Sequence, residues 1–243
     1  MRRKIITTAD GSKTIHIEDW NEQYHSKHGA IQEAKHVFIK NGLHHFYSEL
    51  VSESVENLCH SDTELVEVEE SLTNISILEI GFGTGLNAFI TCLEAEKLKV
   101  NIDYVGVEAY PISSDELSAL NYDELLSKKN DSVFKKLHKV SWEENHKITS
   151  KFMLKKRKHF FEDIKDIERY NLIYFDAFGA RVQPELWTEH ILKIMYKALK
   201  LEGVLVTYSA KGSVRRAMQA VGFIVERLPG PPGKREMLRA IKT

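Results

Sequence analysis

The sequence predicts an α/β fold with a mostly parallel sheet covered by helices on both faces. From residue 75 onward, short apolar runs typical of strands alternate with segments of helical periodicity, which is the pattern that builds parallel sheets. A glycine-rich turn follows the first of these runs. Hydrophobic residues make up 42% and charged residues 28% of the chain, a balance typical of globular proteins.

Seven strands are expected in this sheet, with helices between most of them. The first five are expected to be parallel, at residues 75–80, 102–108, about 152–156, 171–176 and 203–209. The last two, at 222–228 and 235–241, flank the loop sequence PGPPGK. We therefore expect them to form an antiparallel pair at the edge of the sheet.

The residues before this sheet are expected to form a hairpin and two helices. Asp10-Gly11 stands between two β-prone runs, and such a pair favours a tight turn because glycine readily adopts positive φ. Helical periodicity indicates one helix from Gly29 to Gly42, with Gly42 as its C-cap. A second helix is expected at about residues 43–58.

An acidic stretch at residues 61–74 indicates a surface linker between these elements and the sheet. The chain is accordingly divided into two parts. Residues 1–74 form an N-terminal hairpin and helical extension packed on the core, and residues 75–243 form the main domain.

The strongest local motif is LEIGFGTGLNAF, in which a strand ends at Glu79 and a glycine-rich turn leads into a helix. Gly81, Gly83 and Gly85 suit such a turn because glycine adopts positive φ and lets the backbone approach a ligand closely. The GxGxG spacing differs from the GxGxxG of dinucleotide-binding sites, which seat a pyrophosphate. A zwitterionic methionine moiety fits this turn, with Glu79 and the turn amides as its partners.

Acidic residues follow the next two strands. Glu108 ends the second strand, where a carboxylate can accept hydrogen bonds from both ribose hydroxyls of a nucleoside and would repel a 2′-phosphate. Asp163, after the third strand, is the preferred candidate for recognising an adenine amino group. Glu162 is adjacent to it, and the sequence leaves the choice between the two open.

Asp176 ends the fully apolar strand NLIYFD and is expected at the same edge of the sheet. An alkyl amine is mostly protonated at neutral pH, and Asp176 can accept its proton or hold the neutral amine. Phe178 can exclude water from the reacting groups. If the acceptor is an alkyl amine, Asp176 and Phe178 therefore stand at the centre of the predicted site.

Basic residues are concentrated near the C-terminus, although the net charge of the chain is −1. Residues 193–243 contain eleven Lys or Arg against three Glu. Arg215, Arg216, Lys234 and Arg235 could bind substrate phosphates without reading bases. The alternative is that Arg215 and Arg216 belong to the exposed face of a helix.

Other classes of protein are disfavoured by the sequence. No apolar run approaches the about 20 residues that a membrane span requires, and the N-terminus lacks the apolar segment of a secretory signal. We therefore expect a cytoplasmic protein without membrane contact. Cys59 and Cys92 are the only cysteines and the histidines have no completed ligand set, so no metal site is predicted.

Six collinear segments of the chain resemble the methyltransferase domain of the MnmC family, bifunctional enzymes that modify the wobble uridine of tRNA. The seven-stranded pattern with a terminal antiparallel pair likewise matches the Rossmann-like class I methyltransferases. The segments are YHSKHGAIQEAKHVFIKNGL (24–43), IGFGTGLN (80–87), EAYP (108–111), FDAFGARVQPELW (175–187), VRRAMQAVGF (214–223) and GKREML (233–238).

The resemblance implies methyl transfer from S-adenosylmethionine to the 5-aminomethyl nitrogen of wobble 2-thiouridine, in the anticodon region of tRNA. It also implies where the two ligands bind. On the donor side, the glycine turn, Asn87 and Glu108 would hold the cofactor. On the acceptor side, Asp176 would stand beside the nitrogen, with Tyr24 and Ser26 near the substrate and the Lys234-Arg235 pair near RNA.

The bifunctional enzymes continue into a flavin-dependent oxidase domain, whereas this sequence ends at Thr243. We therefore expect a separate oxidoreductase to supply the amine. Two alternatives remain open. One is a methyltransferase or aminopropyl transferase acting on a small-molecule or protein amine. The other is a catalytically silent binding module, which the intact glycine turn, Glu108 and Asp176 disfavour.

Overall fold

The computed structural model describes residues 2–58, 74–127 and 131–243. Of the predicted linker at 61–74, residues 61–73 lie outside the described residues, as does Cys59, and Asn74 is the first residue of a strand. The strands are β1 (Arg3–Thr7), β2 (Lys13–Ile17), β3 (Glu22–Gln23), β4 (Asn74–Ile80), β5 (Asn101–Val107), β6 (Asn145–Lys147), β7 (Phe152–Arg157), β8 (Tyr170–Phe175), β9 (Leu199–Thr207), β10 (Phe223–Pro229) and β11 (Glu236–Lys242).

The main sheet has the strand order β10-β11-β9-β8-β4-β5-β7-β6. Strands β4, β5, β7, β8 and β9 are parallel, and β11 pairs antiparallel with both β9 and β10. The seven expected strands and the terminal antiparallel pair are therefore confirmed. The eighth strand, β6, pairs antiparallel with β7. It escaped prediction because its three residues, Asn145–Lys147, are polar and too few to show a period.

Helices cover both faces of the sheet, as expected. One face packs against the helical segment that begins at Ala30 and against the helix Leu86–Leu98. The other face packs against the helices Glu189–Ala198 and Gly212–Ala220. Successive residues of each strand serve opposite faces, so that Ile77 joins one hydrophobic cluster and Leu78 the other. The remaining α-helices of the described chain are Ser114–Ala119, Tyr122–Leu126 and Asp131–Lys139, and the short 3-10 turns are Glu18–Trp20, Phe161–Asp163 and Pro184–Trp187.

The predicted N-terminal hairpin is confirmed, with β1 and β2 antiparallel on either side of Gly11. The strand β3 extends it to a three-stranded sheet. The Asp10 carboxylate accepts hydrogen bonds from Ser12 N at 3.1 Å and from Gln32 N at 3.1 Å. The Asn121 side chain accepts from Lys13 N at 2.8 Å. These bonds hold the small sheet against the following helix and the main fold.

The helical boundary expected at Gly42 is wrong. The chain is helical without a break from Ala30–Ala34, through a π-helical segment at Lys35–His44, to His45–Leu58. Gly42 is buried inside this π-helical segment, where a Cβ would lie 3.0 Å from Val206 Cγ2. Glycine therefore serves close packing on β9 here and not a left-handed cap, because a Cβ would be crowded by the Val206 side chain.

No helix among the described residues is long and apolar enough to cross a membrane. Within the same ranges, no group of three or more His, Cys, Asp or Glu side chains is arranged to hold a metal ion.

Gly42→Ala is expected to lower the free energy of unfolding by about 1 kcal/mol, because overpacking against Val206 outweighs the helix propensity gained from alanine. Urea denaturation monitored by circular dichroism measures the change. Gly212→Ala is the matched control, since the nearest atom to its Cβ is the flexible Arg216 guanidinium. A Gly42→Ala protein as stable as this control would contradict the packing argument.

Candidate active site

A cavity of about 860 Å³ opens at the carboxyl ends of β4, β5 and β8. This is the sheet edge at which ligands bind in open α/β folds. The turn after β4, the loop after β5 and the loop after β8 each contribute to its lining. The N-terminal sheet and the loop before β11 close the opposite side.

The glycine turn after β4 brings main chain to the cavity at Gly81 and Gly83. Both have positive φ, +87° and +49° respectively. The amides of Gly81 and Phe82 both donate to Val107 O at 3.0 Å. A Cβ on Gly81 would lie 2.8 Å from Asp176 O, so the turn fits closely between the ends of β5 and β8.

Gly85 does not line this cavity, unlike the other two glycines. It precedes the helix Leu86–Leu98 in a left-handed conformation with φ +71°. The space beside it is filled by His138, whose Nε2 lies 2.7 Å from the position of an added Cβ. The glycine is therefore explained by the helix start and by the packing of His138.

The Glu108 carboxylate lines the cavity just beyond β5. Its Oε2 accepts from Gly83 N at 3.0 Å and its Oε1 from Tyr110 N at 2.8 Å. Burial raises the pKa of Glu108, while these backbone donors oppose the rise. Each oxygen keeps a lone pair for a ligand, so the carboxylate is held in place and still able to accept further hydrogen bonds.

The loop after β7 brings Glu162, and not Asp163, to the cavity. Both residues lie in the 3-10 turn Phe161–Asp163, and the Asp163 side chain is exposed outside the lining. Phe160 and Tyr110 stand at the cavity margin with their ring centroids 6.1 Å apart. The geometry therefore does not support the preference for Asp163, because Glu162 lines the cavity and Asp163 does not, with both side chains exposed.

Asp176 belongs to a hydrogen-bonded chain of three side chains. Asn87 Nδ2 donates to Glu79 Oε1 and to Asp176 Oδ2, both at 2.9 Å. Glu79 and Asn87 are fully buried behind the lining, whereas Asp176 reaches the cavity. Glu79 Oε2 and Asn87 Oδ1 have no hydrogen-bond partner among the described residues. Glu79 and Asn87 therefore support Asp176 from behind the cavity wall. Both residues were expected from the sequence to contact the cofactor, but neither lines the cavity.

Both carboxyl groups of this chain have pKa values well above their usual range. Burial is the main cause for each. The nearby charge of Glu33 raises the pKa of Asp176 further, while Asn87 and the Lys234 ammonium lower it. Asp176 is therefore suited to accept a proton, because its environment favours the protonated carboxyl.

An aromatic cluster stands at the other side of the cavity. Phe178 meets the rings of Tyr24 and Trp20 edge to face, with centroids 5.0 Å and 5.6 Å away. Trp187 Nε1 donates to Phe178 O at 2.8 Å and so holds the loop that carries Phe178. Trp20 was not predicted, because its position depends on how the N-terminal sheet folds over the main one.

Lys234 lies at the cavity and is bound to another side chain. Its ammonium pairs with Glu33 Oε1 at 2.5 Å and lies 3.6 Å from the centroid of the Tyr208 ring. Glu33 Oε2 also accepts from Ser26 N at 2.8 Å. Glu33 was not predicted either, since nothing in the sequence relates it to a lysine two hundred positions away.

The remaining basic candidates lie outside the cavity lining. Arg215 is half-buried and Arg216 exposed on the helix Gly212–Ala220, and Arg235 is exposed beside Lys234. Lys234 and Arg235 were expected to lie together near RNA, but only Lys234 lines the cavity. Lys234 is neutralised by Glu33, and Arg235 remains at the surface.

The family model described as S-adenosyl-L-methionine-dependent methyltransferase matches residues 121–243, about half of the chain. The chain belongs to this family. The predicted cofactor and type of enzyme are thereby confirmed.

Two curated relatives are tRNA 5-methylaminomethyl-2-thiouridine biosynthesis bifunctional proteins MnmC. The one from Polaromonas naphthalenivorans is 27% identical over 96% of this chain and 34% of its own length. The one from Hydrogenovibrio crunogenus is 25% identical over 97% and 33% respectively. The resemblance to MnmC is confirmed, and the methyltransferase chain spans about a third of these relatives.

Solved structures show that the fold is shared. MnmC2 from Aquifex aeolicus superimposes with a TM-score of 0.71 at 24% identity, over 100% of this chain and 70% of that one. Spermidine synthase from Thermotoga maritima superimposes with a TM-score of 0.51 at 12% identity, over 99% and 73%.

The cavity residues fit S-adenosylmethionine. The free lone pairs of Glu108 match the two hydroxyl donors of a ribose. Glu162, Tyr110 and Phe160 present a carboxylate and aromatic rings, which suit an adenine amino group and base. The main chain at Gly81 lies between these groups and Asp176, where a methionine moiety would meet backbone.

Glu108→Ala is expected to weaken S-adenosylmethionine binding at least about tenfold, because hydrogen bonds to a charged acceptor are lost. Isothermal titration calorimetry measures the affinity. Asp163→Asn is the control, since that side chain lies outside the cavity, and its affinity should match that of the wild type. Unchanged affinity in Glu108→Ala would rule out the ribose assignment.

Proposed function

We propose that this protein transfers a methyl group from S-adenosylmethionine to the 5-aminomethyl nitrogen of the wobble (2-thio)uridine in tRNA. The likeness to the MnmC proteins supports the choice of acceptor. The observation that carries the proposal is the Asp176 carboxyl, which reaches the cavity and is held from below by Asn87. When bound, S-adenosylmethionine supplies an electrophilic methyl group on a sulfonium.

The binding roles are divided between the two halves of the cavity. Glu108 would hold the ribose, Glu162 the adenine, and the main chain of Gly81 and Gly83 the methionine moiety. In the acceptor half, Asp176 would take the proton that the amine nitrogen loses as its bond to the methyl carbon forms and the sulfonium S–CH₃ bond breaks, which leaves a neutral thioether. Phe178 excludes water there, together with the Tyr24 and Trp20 rings that pack against it.

The charge of the cavity favours an amine acceptor. Six acidic side chains line it against three Lys or Arg side chains. Lys234 is paired with Glu33, Arg3 with Glu116 and Glu22 with Arg181. Such a surface attracts a sulfonium or an ammonium and repels phosphate. A nucleotide acceptor would therefore insert its aminomethyl base and keep its phosphates outside, within reach of exposed residues such as Arg216 and Arg235. The acidic side chains are Glu22, Glu33, Glu108, Glu162, Asp176 and Glu185, and the cations are Arg3, Lys27 and Lys234.

We propose further that a separate oxidoreductase activity supplies the primary amine. Forming that amine is a different class of reaction from methyl transfer. The residues assigned above bind the substrates, position them and accept a proton. Methyl transfer requires these functions, whereas forming the amine requires a redox reaction.

Asp176→Asn is expected to retain cofactor binding and to lose about 100-fold or more of methyl transfer, because an amide cannot accept the amine proton. Single-turnover kinetics with labelled S-adenosylmethionine measures the loss, and calorimetry measures the affinity. Asp163→Asn, which makes the same chemical change outside the cavity, should keep full activity. Wild-type turnover in Asp176→Asn would exclude the proton-accepting role.

The substrate is tested by methyl transfer from labelled cofactor to bulk tRNA carrying 5-aminomethyl uridines, followed by nucleoside mass analysis. Label in 5-methylaminomethyl nucleosides is the expected result, and binding should weaken steeply with salt because phosphates are contacted. Label that appears only in small-molecule or protein amines would overturn the tRNA assignment in favour of another amine methyltransferase.

A further inference from the structure

The Glu33–Lys234 ion pair and Asp176, the proposed proton acceptor, line the same cavity. The Lys234 ammonium lies over the Tyr208 ring, whose hydroxyl donates to the carbonyl of Ala177, the residue after Asp176. Glu33 is 6% exposed and belongs to the helix Ala30–Ala34, whereas Lys234 belongs to the loop before β11. The pair is further fixed by Ser26 N on Glu33 and by the Tyr208 ring beneath the ammonium. Because both charges are held in place at the cavity wall, they affect the ionisation of neighbouring groups such as the Asp176 carboxyl.

We infer that Glu33 and Lys234 form a positioning pair that controls the charge of Asp176 at the acceptor end of the cavity. This inference rests on the proposed function, in which Asp176 receives the proton of the amine. The two residues act through Asp176 and are not themselves assigned contact with the reacting atoms.

The groups that act electrostatically on Asp176 come from several elements. Glu79 of β4 is joined to it through Asn87, and Tyr104 of β5 and Tyr208 after β9 are neutral neighbours. Glu33 adds negative charge from the helix, and Lys234 adds positive charge from the loop. Lys234 is the cation of this set. Glu33 raises the pKa of Asp176 more than Lys234 lowers it.

The opposite charges have opposite consequences for Asp176. Without Lys234, Asp176 faces the Glu33 carboxylate alone and its pKa rises. Without the charge of Glu33, Asp176 faces the ammonium and its pKa falls. Lys234 thus favours the ionised Asp176 that must be present before the amine arrives, whereas Glu33 favours uptake of the amine proton by that carboxylate.

The test uses Lys234→Met, Glu33→Gln and the double variant of the full protein. The rate of methyl transfer is measured as kcat/KM against pH, and the acidic limb is expected to report Asp176. Lys234→Met should move this limb up by about one pH unit, and Glu33→Gln should move it down. The double variant should return toward the wild-type position, since both charges are removed together.

A second readout separates this inference from the proposed function. The Asp176 carboxyl is titrated in each ligand-free variant by infrared difference spectroscopy, with Asp176→Asn identifying its band. The same opposite shifts are expected, and they do not depend on tRNA being the substrate. Failure to methylate tRNA would therefore leave this result unaffected.

A purely structural ion pair would give a different result. Both single variants would then lose rate equally at every pH, with the limb and the carboxyl band unmoved, and the inference would be overturned. Shifts of both variants in the same direction would overturn it as well. Lys234→Arg is the matched control, because it keeps the positive charge and should keep the wild-type pH profile.

Discussion

The amide of Asn87 holds together two carboxyl groups that would otherwise repel each other. By donating to Glu79 and Asp176 at once, it joins the end of β4 to the end of β8 beneath the cavity floor. Ionising both Glu79 and Asp176 would be costly, because burial disfavours each charge and the two negative charges would also repel each other. The proposed chemistry at Asp176 depends on this arrangement, since burial raises the pKa of the carboxyl while the Asn87 amide partly offsets the rise and holds the group at the cavity.

The close fit of the glycine turn follows from the same junction. The turn after β4 passes so near the Asp176 carbonyl that a side chain on Gly81 would displace it. The turn amide of Gly83 meanwhile fixes the Glu108 carboxylate, at the end of β5. One short segment therefore sets the spacing between the residue assigned to the ribose and the residue assigned to the amine, and a change there would move both.

The N-terminal sheet and helix complete the acceptor half of the cavity. They supply Trp20, Tyr24 and Glu33, while the loop before β11 supplies Lys234. The rings pack on Phe178 and the ion pair ties the two ends of the chain together. In the proposed mechanism, the ends of the parallel strands thus carry the donor half, and elements outside these strands shape the side that would receive the acceptor.

The sequence by itself determined the parallel sheet, its terminal antiparallel pair, and the placing of Glu108 and Asp176 at one edge. These follow from local patterns, because strand period and strand end position residues without long-range information. Only the tertiary structure decided that Gly42 packs against Val206 inside a continuous helix, that Glu162 rather than Asp163 lines the cavity, and that Lys234 meets Glu33. Each of these depends on which distant surfaces come together, and contacts between residues far apart in the chain leave no period in the sequence.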